Sequence, residues 1–207
     1  MPSSSATTLA KRTRLRRPAG VPSPWGMFLK GFIKHPVMVG SIIPSSKILI
    51  DRMLSKVDWE NTKLFVEYGP GVGTFCNHIL DRMAPDATLI AIDTNPDFIQ
   101  YLRRTIDDRR FEPVHGSAAD VAQIIRDHGH EQADFVLSGL PFSTLPPGVG
   151  DIIAEQTAEV IRPGGAFLVY QFSPKVKSFI APHFGKIDHA FEPINIPPAQ
   201  LYWAWKD

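Results

Sequence analysis

The chain has 207 residues, 43% apolar and 21% charged, a composition that suits one domain around a single core and excludes disorder of the whole chain. Its one cysteine, Cys76, excludes an internal disulfide or a thiolate-spaced zinc site, and no run of about 18 apolar residues is present to span a bilayer. The formal net charge of +1 hides an asymmetry, because residues 1–50 carry eight basic and no acidic side chains and the remainder carries −7; such an imbalance predicts an anionic partner, either a membrane or a nucleic acid.

Residues 1–24 are rich in Ser, Thr, Arg and Pro and read as a flexible basic arm. Their acid-free composition also suits a transit peptide, whereas the continuous apolar segment of a secretory signal is missing, so an intracellular protein is expected. Trp25, Phe28, Leu29, Phe32 and Ile33 recur at helical spacing, with Lys30 and Lys34 off that row, which predicts a short amphipathic helix ending before Pro36. Such a row can cover a sheet or enter a membrane surface. A second helix is expected from Ser45 or Ser46 across Lys47 to Val57, completing an N-terminal unit over 25–58.

From residue 59 onward the pattern is that of one α/β domain. Strands are predicted at Leu64–Tyr68, Thr88–Asp93, Phe111–His115, Ala133–Ser138 and Gly165–Phe172, with helices near 72–83, 95–107, 117–127 and 148–161 between them. This βαβ series implies a mostly parallel sheet with helices on both faces. A short helix at 174–182 and two runs, Lys186–Glu192 and Gln200–Trp205, follow; the two runs are spaced to pair as an antiparallel hairpin.

The sharpest motif is Glu67-Tyr68-Gly69-Pro70-Gly71-Val72-Gly73, directly after the first strand and opening a helix. Glycines there allow a tight turn and close approach of the backbone to a ligand. The spacing departs from the G-x-G-x-x-G of dinucleotide folds, and the acidic residue ahead of it would repel a pyrophosphate. A ligand bearing positive charge, such as S-adenosylmethionine, suits Glu67 better. Asp93 ends the second strand, with Thr94 beside it, where a carboxylate can accept both hydroxyls of a ribose; a helix cap at Asn95 is the competing reading. Ser117 and Ala118 after the third strand offer small residues beside the expected adenine.

These residues, with Gly139-Leu140-Pro141-Phe142 and Arg162-Pro163-Gly164-Gly165, resemble the class I S-adenosylmethionine-dependent methyltransferases over about residues 60–207. The resemblance implies a Rossmann-like seven-stranded sheet with a reversed last strand. Three segments, His35 to Ser46, Ser138 to Phe142 and Ile196-Pro197-Pro198-Ala199, are similar more narrowly to bacterial phospholipid N-methyltransferases, which convert phosphatidylethanolamine to phosphatidylcholine. The ribosomal RNA adenine dimethylases share the glycine loop but carry an Asn before Leu-Pro, where Gly139 stands here. They also carry a C-terminal RNA-binding domain for which no residues remain, so a lipid acceptor is expected over a stable nucleic-acid partner. Ornithine lipid or an adenine base in RNA are the alternative acceptors.

An amine must be neutral to accept a methyl group, and desolvation lowers the pKa of an ammonium without a strong base. Ser138, Gly139 and Leu140 are the catalytic candidates, through backbone carbonyls and the Ser138 hydroxyl aimed at the amine. Tyr170 can act as proton acceptor, as a cation-holding ring with Phe142, or as core. Ser45 and Ser46, with Arg52 nearby, can hold a lipid phosphate at a helix N-terminus or serve only as a cap. Trp25, Phe28, Leu29, Lys30, Phe32 and Lys34 form the expected membrane-docking face. The product would be S-adenosylhomocysteine, no metal is expected, and the enzyme is placed peripherally on the cytoplasmic face of an anionic membrane.

Overall fold

A computed structural model describes residues 46–195 and 197–207. The expected arm, the amphipathic helix from Trp25, Ser45 and Ile196 lie outside the described residues.

Strand β1 (Leu64–Tyr68) is buried at every position, the pattern of a strand covered on both faces. It is flanked in parallel by β2 (Thr88–Asp93) and β4 (Ala133–Ser138); β3 (Phe111–His115) lies beyond β2, and β5 (Ile161–Gln171) beyond β4. β7 (Ala199–Trp205) runs antiparallel between β5 and β6 (Lys186–Glu192), which gives seven strands in the order β3-β2-β1-β4-β5-β7-β6. The doubly wound sheet with its reversed last strand is the expected one.

The core divides by face. Helices α1 (Lys47–Leu54), α2 (Thr74–Leu80) and α3 (Pro96–Thr105) bury Leu49, Met53, Phe75, Ile99 and Leu102 against Phe65, Leu89, Phe135 and Trp203. Helices α4 (Val121–Asp127), α5 (Val149–Val160) and α6 (Val176–Ile180) cover the other face, burying Val121, Ile153 and Ile180 against Val66, Val136 and Phe167. The Trp203 indole donates to the Met53 carbonyl at 2.9 Å, fastening the end of α1 to β7. At the other end of α1, Ser46 caps the helix by accepting from the Leu49 amide, while its own amide donates to Asn195 Oδ1 at 3.0 Å.

Several boundaries differ from those read in the sequence. The first helix after the glycine loop begins at Thr74 rather than 72, because Gly71 and Gly73 have positive φ. The stretch 117–127 divides into a 3-10 turn at Ala118–Asp120 and then α4. α1 ends at Leu54 and α6 is confined to 176–180. β5 starts at Ile161, four residues early, because a register shift opposite Ala133 and Phe135 admits the Arg162–Gly165 turn into the strand.

The N-terminal end of the sheet is tied by Asp134. One carboxylate oxygen accepts from the amides of Lys63 (2.7 Å) and Leu64 (2.8 Å), and the other pairs with the Arg162 guanidinium. Removing it orphans two amides at the start of β1. Asp134→Ala is expected to lower unfolding free energy by about 2–4 kcal/mol in urea titrations, with cofactor binding by the remaining folded protein retained.

Candidate active site

The parallel strands end in a row. Tyr68 pairs with Ile92 on one side and Ser138 on the other, and Asp93 pairs with His115. The amides just past the row continue it, with Gly69 donating to the Ile92 carbonyl at 2.9 Å, Gly139 to the Tyr68 carbonyl at 3.2 Å and Gly116 to the Asp93 carbonyl at 3.1 Å. Loops carrying Gly69–Gly73, Asp93–Asn95, Gly116–Ala118 and Ser138–Phe142 therefore gather at one edge, the usual ligand end of an open α/β sheet.

Gly69, Gly71 and Gly73 have φ of 65°, 54° and 78°, a run that L residues adopt only with strain. A Cβ on Gly69 would sit 3.0 Å from Leu140 Cδ2, so the glycine loop and the Ser138–Phe142 loop touch. Asp93 braces the turn, with one carboxylate oxygen accepting from the Gly71 amide at 3.3 Å and the other from the Asn95 amide at 2.8 Å. Burial pushes its pKa above the ordinary carboxylate value, and these two amides oppose the rise. The Asn95 side chain caps α3 by accepting from the Asp97 amide, so Asp93 is not itself the cap.

Glu67 is only 3% exposed, and the Cys76 thiol donates to its Oε2 at 3.1 Å. No cationic side chain among the described residues pairs with it. Burial, reinforced by the nearby Asp93, raises its pKa from 4.5 to about 7 against the opposing hydrogen bond from Cys76. A carboxylate kept out of water with no counter-charge among the described residues, beside a positive-φ glycine turn, is chemically suited to a cation. These residues would fit S-adenosylmethionine, which carries a sulfonium, an amino group and a ribose. Ser117 accepts from the Ala119 amide as the cap of the 3-10 turn, Ala118 is buried, and the Thr94 carbonyl contacts His115 Nε2 at 3.1 Å.

In the acceptor loop, Leu140 is spoken for: its amide donates to Ser138 Oγ at 3.2 Å, and its carbonyl accepts from the Phe142 amide and from the Gln171 side chain. The Pro141 carbonyl accepts from Thr144. The Gly139 carbonyl accepts no hydrogen bond from the described residues. Tyr170 stacks on Phe75, with centroids 5.0 Å apart, and its hydroxyl lies where a Cβ on Gly139 would be, at 2.3 Å. It stands between α2 and the acceptor loop, half-buried.

Two substrate expectations need correction. Phe142 is 2% exposed and packs against Phe167 and Phe179 in the core, so its ring is no wall for a cation. The Arg52 guanidinium is committed to the Phe191 carbonyl (2.9 Å) and to the buried Glu192 carboxylate (3.1 Å), rather than standing free for a phosphate. Sequence reasoning did not single out Gln171 or Cys76: the first reads as a strand end and the second as a lone thiol. Among the described residues no cluster of His, Cys, Asp and Glu could hold a metal ion.

A reversed seventh strand, a glycine turn backed by an acidic strand end and a second carboxylate on the neighbouring strand together define a nucleoside-binding methyltransferase fold. Comparison with known proteins agrees. The methyltransferase domain family matches residues 65–165. The chain is 36% identical over 179 residues to the ornithine lipid N-methyltransferase of Singulisphaera acidiphila, covering 86% of this chain and 93% of that one. Among solved structures, a precorrin-6y C5,15-methyltransferase from Geobacter metallireducens aligns with a TM-score of 0.62 at 15% identity, over 78% of this chain and 89% of that one. The N-methyltransferase NodS from Bradyrhizobium japonicum in complex with S-adenosyl-L-homocysteine aligns at 0.60 and 12% identity, over 77% and 84%. The chain belongs to the class I S-adenosylmethionine-dependent methyltransferases, among those related to lipid N-methyltransferases, and S-adenosylmethionine is its cofactor.

The electrostatics of Glu67 set a pH dependence. A cationic ligand selects the ionised carboxylate, which the free protein holds mostly above its pKa of about 7. Affinity for S-adenosylmethionine should therefore strengthen as pH rises from about 6 to about 8, approaching tenfold per pH unit at the acid end. Isothermal calorimetry checks this, and Glu67→Gln should bind weakly with a flat profile. The linkage to stability has the opposite sign. The unfolded chain ionises near 4.5 and the folded one near 7, so the free protein loses stability as pH climbs through that interval.

Proposed function

We propose that the methyl acceptor is the primary amine of a membrane aminolipid, with phosphatidylethanolamine and its mono- and dimethyl derivatives as first reading and phosphatidylcholine as end product. The observation that carries an amine acceptor is the loop Ser138–Phe142, whose Gly139 carbonyl, beside Tyr170, accepts no hydrogen bond from the described residues and which contains no ionisable side chain. Such a site disfavours an ammonium by desolvation and accepts a hydrogen bond from the neutral amine, orienting its lone pair. When bound, S-adenosylmethionine supplies an electrophilic methyl group on its sulfonium. Gln171 holds the loop from behind through the Leu140 carbonyl, and Leu140 in turn rests on the glycine turn, so that acceptor and donor sites are set against each other.

Ornithine lipid is the second reading, favoured by the similarity to the Singulisphaera enzyme over most of both chains. The two headgroups share a primary amine near an anion, a phosphate in one and a carboxylate in the other. Purified protein with methyl-labelled cofactor and vesicles containing either lipid decides between them by thin-layer chromatography. Label in phosphatidylethanolamine derivatives supports the first reading and label in ornithine lipid alone the second; label in neither rejects both. The basic arm and the row from Trp25 to Lys34 belong to this proposal as the tether to an anionic membrane. No helix among the described residues is long and apolar enough to cross one.

Gly139 offers a sharper check on the acceptor loop. An added methyl meets the Tyr170 hydroxyl at 2.3 Å and must displace either the ring or the loop. Gly139→Ala is expected to lower kcat by about a hundredfold, the scale of an ångström-sized misplacement, with cofactor affinity changed less than about threefold. Steady-state kinetics and calorimetry on the same preparation separate the two effects.

A further inference from the structure

The described residues leave five large apolar side chains exposed, namely Ile48, Ile152, Phe172, Phe191 and Ile194. Scattered apolar residues are ordinary on a surface, whereas a gathered set marks an interaction face. All of these stand at the end of the sheet where the parallel strands finish. Phe172 directly follows β5. Gln171 pairs with Gln200, which pairs with Phe191, so Phe191 shares a row with the end of β5. Ile194, 63% exposed, lies in the connection from β6 to β7. The bond from Ser46 to Asn195 brings Ile48, in the first turn of α1, to that same connection. Ile152 lies in the first turn of α5, which starts from this end of the sheet after β4. The opposite end contributes no exposed large apolar side chain among the described residues.

Charge accompanies the apolar set. Lys175 and Lys177 are exposed next to Phe172 and enter no ion pair among the described residues. The residues before Ser46, itself at this rim through its bond to Asn195, carry seven basic and no acidic side chains in the sequence. Exposed phenylalanine and isoleucine edged by cations match a bilayer with anionic headgroups. A nucleic acid would use the charges and leave the aliphatic side chains in water.

The geometry points to this rim as a membrane-docking face, on which the strand ends, and with them the acceptor loop, are turned toward an anionic bilayer. The inference rests on the lipid reading above and adds the orientation and the residues that set it. A lipid amine then reaches Gly139 by a short rise out of the headgroup layer instead of by extraction into water.

The test is flotation of the full chain with vesicles of phosphatidylcholine alone or mixed with phosphatidylglycerol. The unmodified protein is expected to favour the anionic vesicles. Phe172→Ser, Phe191→Ser and Ile194→Ser combined should lower partitioning at least about tenfold while affinity for S-adenosylhomocysteine is unchanged. Ile194→Trp, a milder change, should show greater fractional quenching by brominated acyl chains than the unmodified protein. Undiminished flotation of the triple variant, or no added quenching of Ile194→Trp, overturns the docking face. So does a dimer that the triple variant converts to monomer with flotation intact, which would give the rim to a second copy. If the rim variant loses flotation but the unmodified protein labels no aminolipid, the docking face stands and the acceptor assignment falls. If aminolipid is labelled and flotation ignores the rim, the docking face alone falls.

Discussion

A carboxylate held out of water organises the site. Glu67 is the penultimate residue of a strand that is buried along its length, and among the described residues a thiol is its hydrogen-bond partner. Burying a charge without a counter-ion is costly, and here part of the cost is avoided by retaining a proton near neutrality. The arrangement makes sense once a cation is to be received. The fold supplies the rigidity this needs, since β1 is flanked on both sides by parallel strands and the glycine turn grows directly from its end. Asp93, one strand over, fixes the turn through the Gly71 amide, so the same two strand ends position both carboxylates.

The acceptor side follows a different logic. Where the cofactor side uses charge, the loop after β4 uses backbone, and most of its hydrogen-bonding capacity is consumed in holding its own shape. The Leu140 and Pro141 carbonyls are occupied, whereas the Gly139 carbonyl, close to the Tyr170 hydroxyl, accepts nothing from the described residues. The contact between Leu140 and Gly69 joins the two sides. Preorganisation here is the mutual fit of two loops set by adjacent, in-register strands.

Five of the strands, β1 to β4 and β6, were legible to the residue, because β-rich runs bounded by turn residues leave little freedom in where a strand begins. The early start of β5 was not, since Pro163 and Gly164 read as a turn and only the pairing of Ile161 with Ala133 shows that the strand has already begun. The glycine turn and the placing of Glu67 and Asp93 beside it were legible because glycine and acidic residues near strand ends carry strong local constraints. The roles expected of Phe142 and Arg52 were not, for they depend on partners far along the chain: Phe142 on Phe167 and Phe179, Arg52 on Glu192. An aromatic residue or an arginine near a motif says nothing about which way it points. Gln171 went unread for the same reason, its only signature being a contact with Leu140, distant in sequence.

The hydrogen bond between the Ser46 amide and Asn195 fastens the start of α1 to the β6–β7 connection. That connection lies toward the far margin of the sheet from β1, so a disturbance of this knot leaves untouched the pairings of β1 with β2 and β4 from which the glycine turn grows.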